Sequence, residues 1–132
     1  MHEWALAEAI ISAVSQIAER EGLKEVREVG LRIGELQQVD REVLGFALSQ
    51  LKSGKLSNAK FTMRTVRARF KCRVCGNKWL FREAKVSEDV KESIHFIPEV
   101  AHAYFRCPRC GSPDFDISSG RGVWISSVRG VK

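Results

Sequence analysis

Apolar positions at the start of the chain recur at helical spacing. Leu6, Ile10, Ala13, Val14 and Ile17 fall three or four apart, while Glu8, Ser12, Ser15, Gln16 and Glu19 occupy the opposite side. The spacing predicts an amphipathic helix over 3–21, stopped by Gly22. Val29, Leu31 and Ile33 then alternate with Gly30, Arg32 and Gly34, the period of a half-buried strand. A second helix is expected from Asp40 to Lys52. Asp40 suits the N-cap, and Val43, Leu44, Ala47, Leu48 and Leu51 form the apolar face. A second strand is expected over about 59–70. Phe61 and Met63 set one alternation, and Val66, Ala68 and Phe70 set the opposite one. Such a phase change marks a bulge, or a strand that twists between two environments. A last strand over about 115–128 is interrupted at Ser118-Ser119-Gly120 and continues through Val123, Ile125 and Ser127.

The order is helix, strand, helix, strand, cysteine segment, strand. It implies an α/β fold with two helices packed on a small, about three-stranded mixed sheet. The last strand most simply returns to the sheet that the first two began. The cysteine segment is then an insertion. Residues 1–70 plus 114–132 would form the α/β domain and 71–113 a zinc-ribbon-like lobe. At 132 residues the chain is long enough for a modest core of its own. Glu3, Glu8, Glu19 and Arg20 break any secretory leader, and no run approaches the ~20 apolar residues of a membrane span. A soluble, cytoplasmic protein is expected, in a compartment where four cysteines serve as metal ligands rather than disulfides. The formal charge is +6. Four thiolates and one Zn²⁺ would bring it to about +4, a weak pointer to any partner.

The strongest local motif is Cys72-Arg73-Val74-Cys75-Gly76 with Cys107-Pro108-Arg109-Cys110-Gly111. Two residues between cysteines let a tight turn aim both sulfurs at one ion, and the following glycine lets the backbone curl. Two such knuckles form a closed S₄ site, structural rather than catalytic. Zinc is the default, although rubredoxin-like proteins hold iron in similar knuckles. Between the knuckles lie 31 residues, more than a ribbon needs. Residues 84–103 of that insertion contain His95 and His102. Ser87 to Ile94 could form a short helix, with Phe96-Ile97-Pro98 ending it.

A second metal signal opens the chain. Met1-His2-Glu3 offers the terminal amine, the His2 and Glu3 amides, and the His2 imidazole. These are donors suited to square-planar nickel or copper. The His2 amide chelates through five-membered rings to the amine and to the Glu3 amide, and through a six-membered ring to its own imidazole. A planar donor has two neighbouring positions, so one of these three partners is left out. The tripeptide therefore fills three planar positions and needs a fourth ligand. His95 and His102 are the remaining imidazoles, and His95, beside a proline-containing turn, is the better placed. Coordinated amides must lose protons, so affinity should fall with pH.

Taken together the chain resembles the HypA family of nickel-insertion proteins for nickel-iron hydrogenase. The resemblance rests on Met1-His2-Glu3, on Ile33-Gly34-Glu35-Leu36-Gln37-Gln38-Val39 with Leu44, Phe46 and Ala47, on both knuckles, and on Ser119-Gly120-Arg121-Gly122. It covers essentially the whole chain, and the long insertion is closer to archaeal members. It implies a nickel metallochaperone in which Met1, His2 and Glu3 bind transported Ni(II), while Cys72, Cys75, Cys107 and Cys110 bind structural Zn(II). It also implies partners: a HypB-type nucleotide-hydrolysing accessory protein and the hydrogenase large subunit. An exposed first helix or a swappable lobe would allow a homodimer. No phosphate-binding loop and no catalytic triad compete with this reading, so no enzyme is expected. The alternative is a nucleic-acid-binding zinc-ribbon protein. It rests on Arg64, Arg67, Arg69, Lys71 and Arg73, which lead into the first knuckle.

Overall fold

In a computed structural model, residues 2–83, 87–97, 99 and 101–132 are described. In chain order the elements are α1 (Glu3–Arg20), β1 (Glu25–Gly34), α2 (Arg41–Leu51), β2 (Lys60–Val66), β3 (Arg69–Cys72), β4 (Lys78–Leu80), α3 (Glu88–Phe96), α4 (Ala101–Tyr104), β5 (Phe115–Ser119) and β6 (Val123–Val131). Single 3-10 turns cover Gly54–Leu56 and Phe81–Glu83. The fold is α/β, with two three-stranded sheets ordered β2-β1-β6 and β4-β3-β5. Among the described residues no helix is long and apolar enough to cross a membrane.

The chain divides into two compact units, residues 1–32, 39–64 and 124–132, and residues 33–38 and 65–123. In the first unit α1 packs on α2. The buried face of α1 is Ala7, Ile10, Val14 and Ala18. It is thus turned from the expected stripe, and Leu6, Ala13 and Ile17 are only half-buried. Alanines at its ends have no bulk to hold the helix away from its neighbours. Leu44, Ala47 and Leu48 are the buried face of α2, while Val43 is exposed. Asp40 caps α2 as expected, its Oδ1 accepting from the Val43 amide at 3.1 Å.

The phase change at Val66 fits a chain that moves between two environments, and a register shift against β5 follows between Arg69 and Phe70. The phase change marks the passage of the chain from β2 in one sheet to β3 in the other. The interruption at Ser118-Ser119-Gly120 has the same cause, for β5 lies in the second sheet and β6 in the first. The last strand does return beside β1, as expected.

The cysteine-bearing unit is wider than the expected 71–113 segment. It takes in 33–38, 65–70 and 114–123 as well. Its buried cluster includes Leu36, Phe70, Trp79, Phe81, Ile94, Phe105 and Phe115. Phe70 is central, with ring centroids of Phe105 and Phe115 both at 5.3 Å, edge to face. Such contacts add to the burial of large rings. This lobe has an apolar core of its own, and a metal is not its only support.

The segment Ile33 to Gln38 pins both strand crossings. The Glu35 amide donates to the Val66 carbonyl, and the Leu36 amide to that of Gly120. Glu35 Oε1 accepts from the Ala68 amide at 2.8 Å, and Gln37 Oε1 accepts from the Gly122 amide at 3.0 Å. Gly120 has φ +88°, and a Cβ there would lie 2.3 Å from Ala68 Cα. Only glycine fits that crossing.

Ala68 is fully buried. Glu35→Ala would orphan its amide, so a loss of about 1–3 kcal/mol is expected in urea unfolding. Glu35→Gln keeps a carbonyl acceptor and should retain most of that stability.

Candidate metal centre

The two knuckles are built alike. In each, the first cysteine's amide donates five residues ahead, Cys72 to the Asn77 carbonyl at 2.8 Å and Cys107 to that of Ser112 at 2.9 Å. The glycine amide then donates back, Gly76 to Cys72 at 3.0 Å and Gly111 to Cys107 at 2.8 Å. Both glycines sit at φ +76°, in the left-handed region that closes the turn. Cys72 ends β3, and Phe115, its partner across the pair, begins β5. The sheet thus brings together knuckles 31 residues apart.

All four sulfurs lie within 4.8 Å of one another. Cys72 Sγ is 3.5 Å from Cys110 Sγ, and Cys75 Sγ is 3.6 Å from Cys107 Sγ. A tetrahedral zinc with Zn–S of ~2.3 Å has edges of ~3.8 Å, so the set fits such an ion. Among the described residues this is the one group of three or more His, Cys, Asp or Glu side chains placed to hold a metal.

Electrostatics point the same way. Amides of Val74 and Cys75 approach Cys72 Sγ at 3.4 and 3.5 Å, and that of Cys110 approaches Cys107 Sγ at 3.5 Å. Asn77 Nδ2 approaches Cys107 Sγ at 3.7 Å. The Cys75 amide leads in lowering the Cys72 thiol. At Cys107 desolvation opposes ionisation, but the Cys110 and Arg109 amides and neighbouring thiols outweigh it, giving a pKa of about 6. At Cys110 the Ser112 amide favours the thiolate, but burial and the three other sulfurs together push it up to about 12. Four sulfurs so close cannot all ionise unless a cation shares the site.

Two features around the cluster escaped sequence reasoning. Arg73 does not belong to an open basic stretch. Its Nε donates to Asp116 Oδ1 at 2.9 Å and its second nitrogen pairs with Asp114 at 3.2 Å. The Asp116 contact raises its pKa further. This clamp ties the first knuckle to the strand that follows the second. Asn77 is the other. An arginine inside one knuckle and Asp-x-Asp just past the other were the available signals.

Among the described residues none of the remaining candidates joins the sulfur group. Met1 is outside the described residues. His2 is the N-cap of α1, exposed, with extended backbone and no side-chain capping bond. Glu3 begins the helix, and its amide belongs to the first turn, which has no intrahelical acceptor. Its carboxylate is occupied, since Oε1 accepts from the Asp40 amide at 3.1 Å. That amide holds the Glu3 carboxyl below its usual range. The next residue, Trp4, meets Phe46 of α2 edge to face at 6.1 Å. The start of α1 is therefore held against α2 by side chains, and the Glu3 carboxylate also accepts from its own amide.

His95 lies on α3 with its ring edge-on to Phe81 at 5.5 Å. Among the described residues its ring nitrogens have no hydrogen-bond partner. His102 is stacked on Phe115 at 4.4 Å, and its Nδ1 lies 3.5 Å from the Pro113 carbonyl. Pro98, part of the turn expected after His95, lies outside the described residues.

Residues 1–130 match the family model described as hydrogenase/urease nickel incorporation, metallochaperone, hypA. The chain belongs to the HypA family. It is 46% identical to the hydrogenase maturation factor HypA of Thermococcus gammatolerans over 131 residues, which is 97% of this chain and 94% of that one. It is 43% identical to the factor of the same name from Thermococcus sibiricus over 132 residues, 98% and 96% of the two chains. The solution structure of the nickel metallochaperone HypA from Helicobacter pylori shares the fold. Its TM-score is 0.66 at 17% identity, covering 99% of this chain and 98% of that one. The family is one of nickel-incorporation metallochaperones, and its relatives are hydrogenase maturation factors. This member carries the family's metal-binding chemistry in a four-cysteine cluster.

The cluster should bind one dication per chain. Thiol titration of the native protein is expected to find the cysteines protected, and all four reactive once a strong chelator removes the metal. Cys107→Ser should weaken metal retention by at least about tenfold, read by competition with a chromophoric chelator.

Proposed function

We propose that this chain carries Ni(II) at its amino terminus and delivers it during hydrogenase maturation, while Zn(II) fills the four-cysteine site as a structural ion. The carrying observation is the family match that begins at residue 1, so that it takes in Met1-His2-Glu3. The local structure is compatible with that chemistry. Amides at the first positions of α1 can lose their protons without breaking a helical hydrogen bond. His2 is exposed beside them.

In this reading the His2 amide sits at the centre of the planar donor set. Two of its three possible partners, the Met1 amine, the Glu3 amide and the His2 imidazole, flank it, and His95 supplies the fourth position. His95 is preferred to His102 because its ring nitrogens are uncommitted, whereas His102 is stacked on Phe115. Glu3 acts through its amide, since its carboxylate is taken by Asp40. Zinc is preferred to iron at the cysteines because closed S₄ sites are its usual structural setting. The protein works in the cytoplasm with a HypB-type nucleotide-hydrolysing protein, and the hydrogenase large subunit receives the metal. The unit holding α1 and α2 is then the nickel-binding domain and the unit holding the knuckles the zinc-binding domain.

Nickel titration of untagged protein tests this. One high-affinity nickel with a planar spectrum is expected. His2→Ala should lower affinity by about tenfold or more, and residues added before Met1 should change the spectrum. His95→Ala should replace one nitrogen donor. Glu3→Gln should bind nickel as the native protein does, because the amide remains. Unchanged binding in His2→Ala would overturn the proposal.

The pH dependence has a defined sign. Every coordinated amide releases a proton on binding, so affinity should fall steadily as pH is lowered from about 7.5 to 6, through the range where an imidazole also protonates. A pH-independent affinity would contradict amide coordination.

A further inference from the structure

Along β3 the side chains alternate, with Phe70 and Cys72 buried and Arg69 and Lys71 exposed. On the exposed face Lys71 stands directly opposite Lys78 of β4. Like charges in that position destabilise a strand pair. Arg67, just before β3, is exposed as well. Among the described residues none of these four cations has a carboxylate within ion-pair distance, although Arg27, Lys55, Arg73, Arg82, Lys91 and Arg121 do. Asp116, opposite Lys71 on β5, is already held by Arg73.

The cations line two adjoining depressions. One, of about 630 Å³, is bordered by Arg67, Arg69, Lys71, Lys78, Ser118 and Ser119. The other, of about 230 Å³, shares Arg69 and Lys78 and reaches Leu80 and Glu83. The serine hydroxyls are spent on the fold, Ser118 donating to the Arg69 carbonyl at 3.2 Å and Ser119 to that of Arg67 at 2.8 Å. The side-chain donors left for a ligand are guanidinium and ammonium groups.

Two depressions joined through shared cations suit an extended chain rather than one small anion. Phe70, Trp79 and Phe81, the rings carried by these elements, are turned into the core. Trp79 borders the smaller depression but is only 7% exposed, so little of its ring face is open to stack a base, although single-stranded nucleic acid relies on such stacking. Guanidinium forks match carboxylates in pairs. We propose that the exposed β3–β4 face is a docking surface for an acidic, Asp/Glu-rich segment of a partner protein. The surface is separate from the nickel reading and stands or falls without it.

The test is fluorescence anisotropy of a labelled oligo-glutamate peptide with the full-length, metal-loaded protein at low salt. Binding that weakens as salt is raised is expected. Arg69→Glu with Lys78→Glu should reduce affinity by about tenfold or more. The milder Arg69→Gln with Lys78→Gln should reduce it less, guarding against misfolding of the reversed variant. Lys24→Glu with Lys60→Glu changes net charge equally, and these two exposed lysines lie in the other unit. That control should bind nearly as well as the native protein. Equal losses in the control would overturn the proposal. So would tighter binding of a labelled DNA or RNA oligonucleotide than of the peptide, which would restore the nucleic-acid reading of this face.

Discussion

Four sulfurs drawn within 4.8 Å of one another impose the governing constraint on this molecule. Brought that close, they resist shared ionisation, because each thiolate raises the cost of the next. A dication removes the conflict, because each thiolate then faces a positive centre. The surroundings serve that convergence. β3 and β5 carry the knuckles to one place, and Phe70 and Phe115 pack behind them. Arg73 ties the first knuckle to Asp114 and Asp116. The segment Ile33 to Gln38 fixes the points where the chain enters and leaves the lobe.

The amino terminus answers a different demand. A carrier must hold its metal without burying it. Side-chain contacts from Glu3 to Asp40 and from Trp4 to Phe46 hold the start of α1. His2 itself remains exposed. Soft sulfur donors and hard planar nitrogen donors select different metals by ligand type rather than by affinity alone. Under the proposal that nickel binds at the terminus, that difference lets one small chain keep a structural ion and carry a second as cargo.

Helices and knuckles were legible in the sequence because their signals are local. Asp40 caps its helix as its chemistry requires, and Gly76 and Gly111 close turns that the Cys-x-x-Cys-Gly spacing announces. The second sheet was not legible. β4 is three residues long, and β3 follows β2 so closely that the two read as one strand. Their division shows only as a phase change at Val66, which a bulge would also produce. The true face of α1 was hidden because Ala7 and Ala18 carry little hydrophobic signal, yet both are fully buried. Nor could spacing reveal the Arg73 clamp, since its two carboxylates lie more than forty positions away. The aromatic core around Phe70 draws residues from both sides of the cysteine segment.

On the proposed reading one chain holds two metals in two chemically distinct places. X-ray absorption at the nickel and zinc edges of the doubly loaded protein tests it most directly. Nickel is expected with nitrogen neighbours only, imidazole among them, in a planar environment. Zinc is expected with four sulfur neighbours at about 2.3 Å. Sulfur in the nickel shell, or nitrogen in place of sulfur at zinc, would contradict that reading.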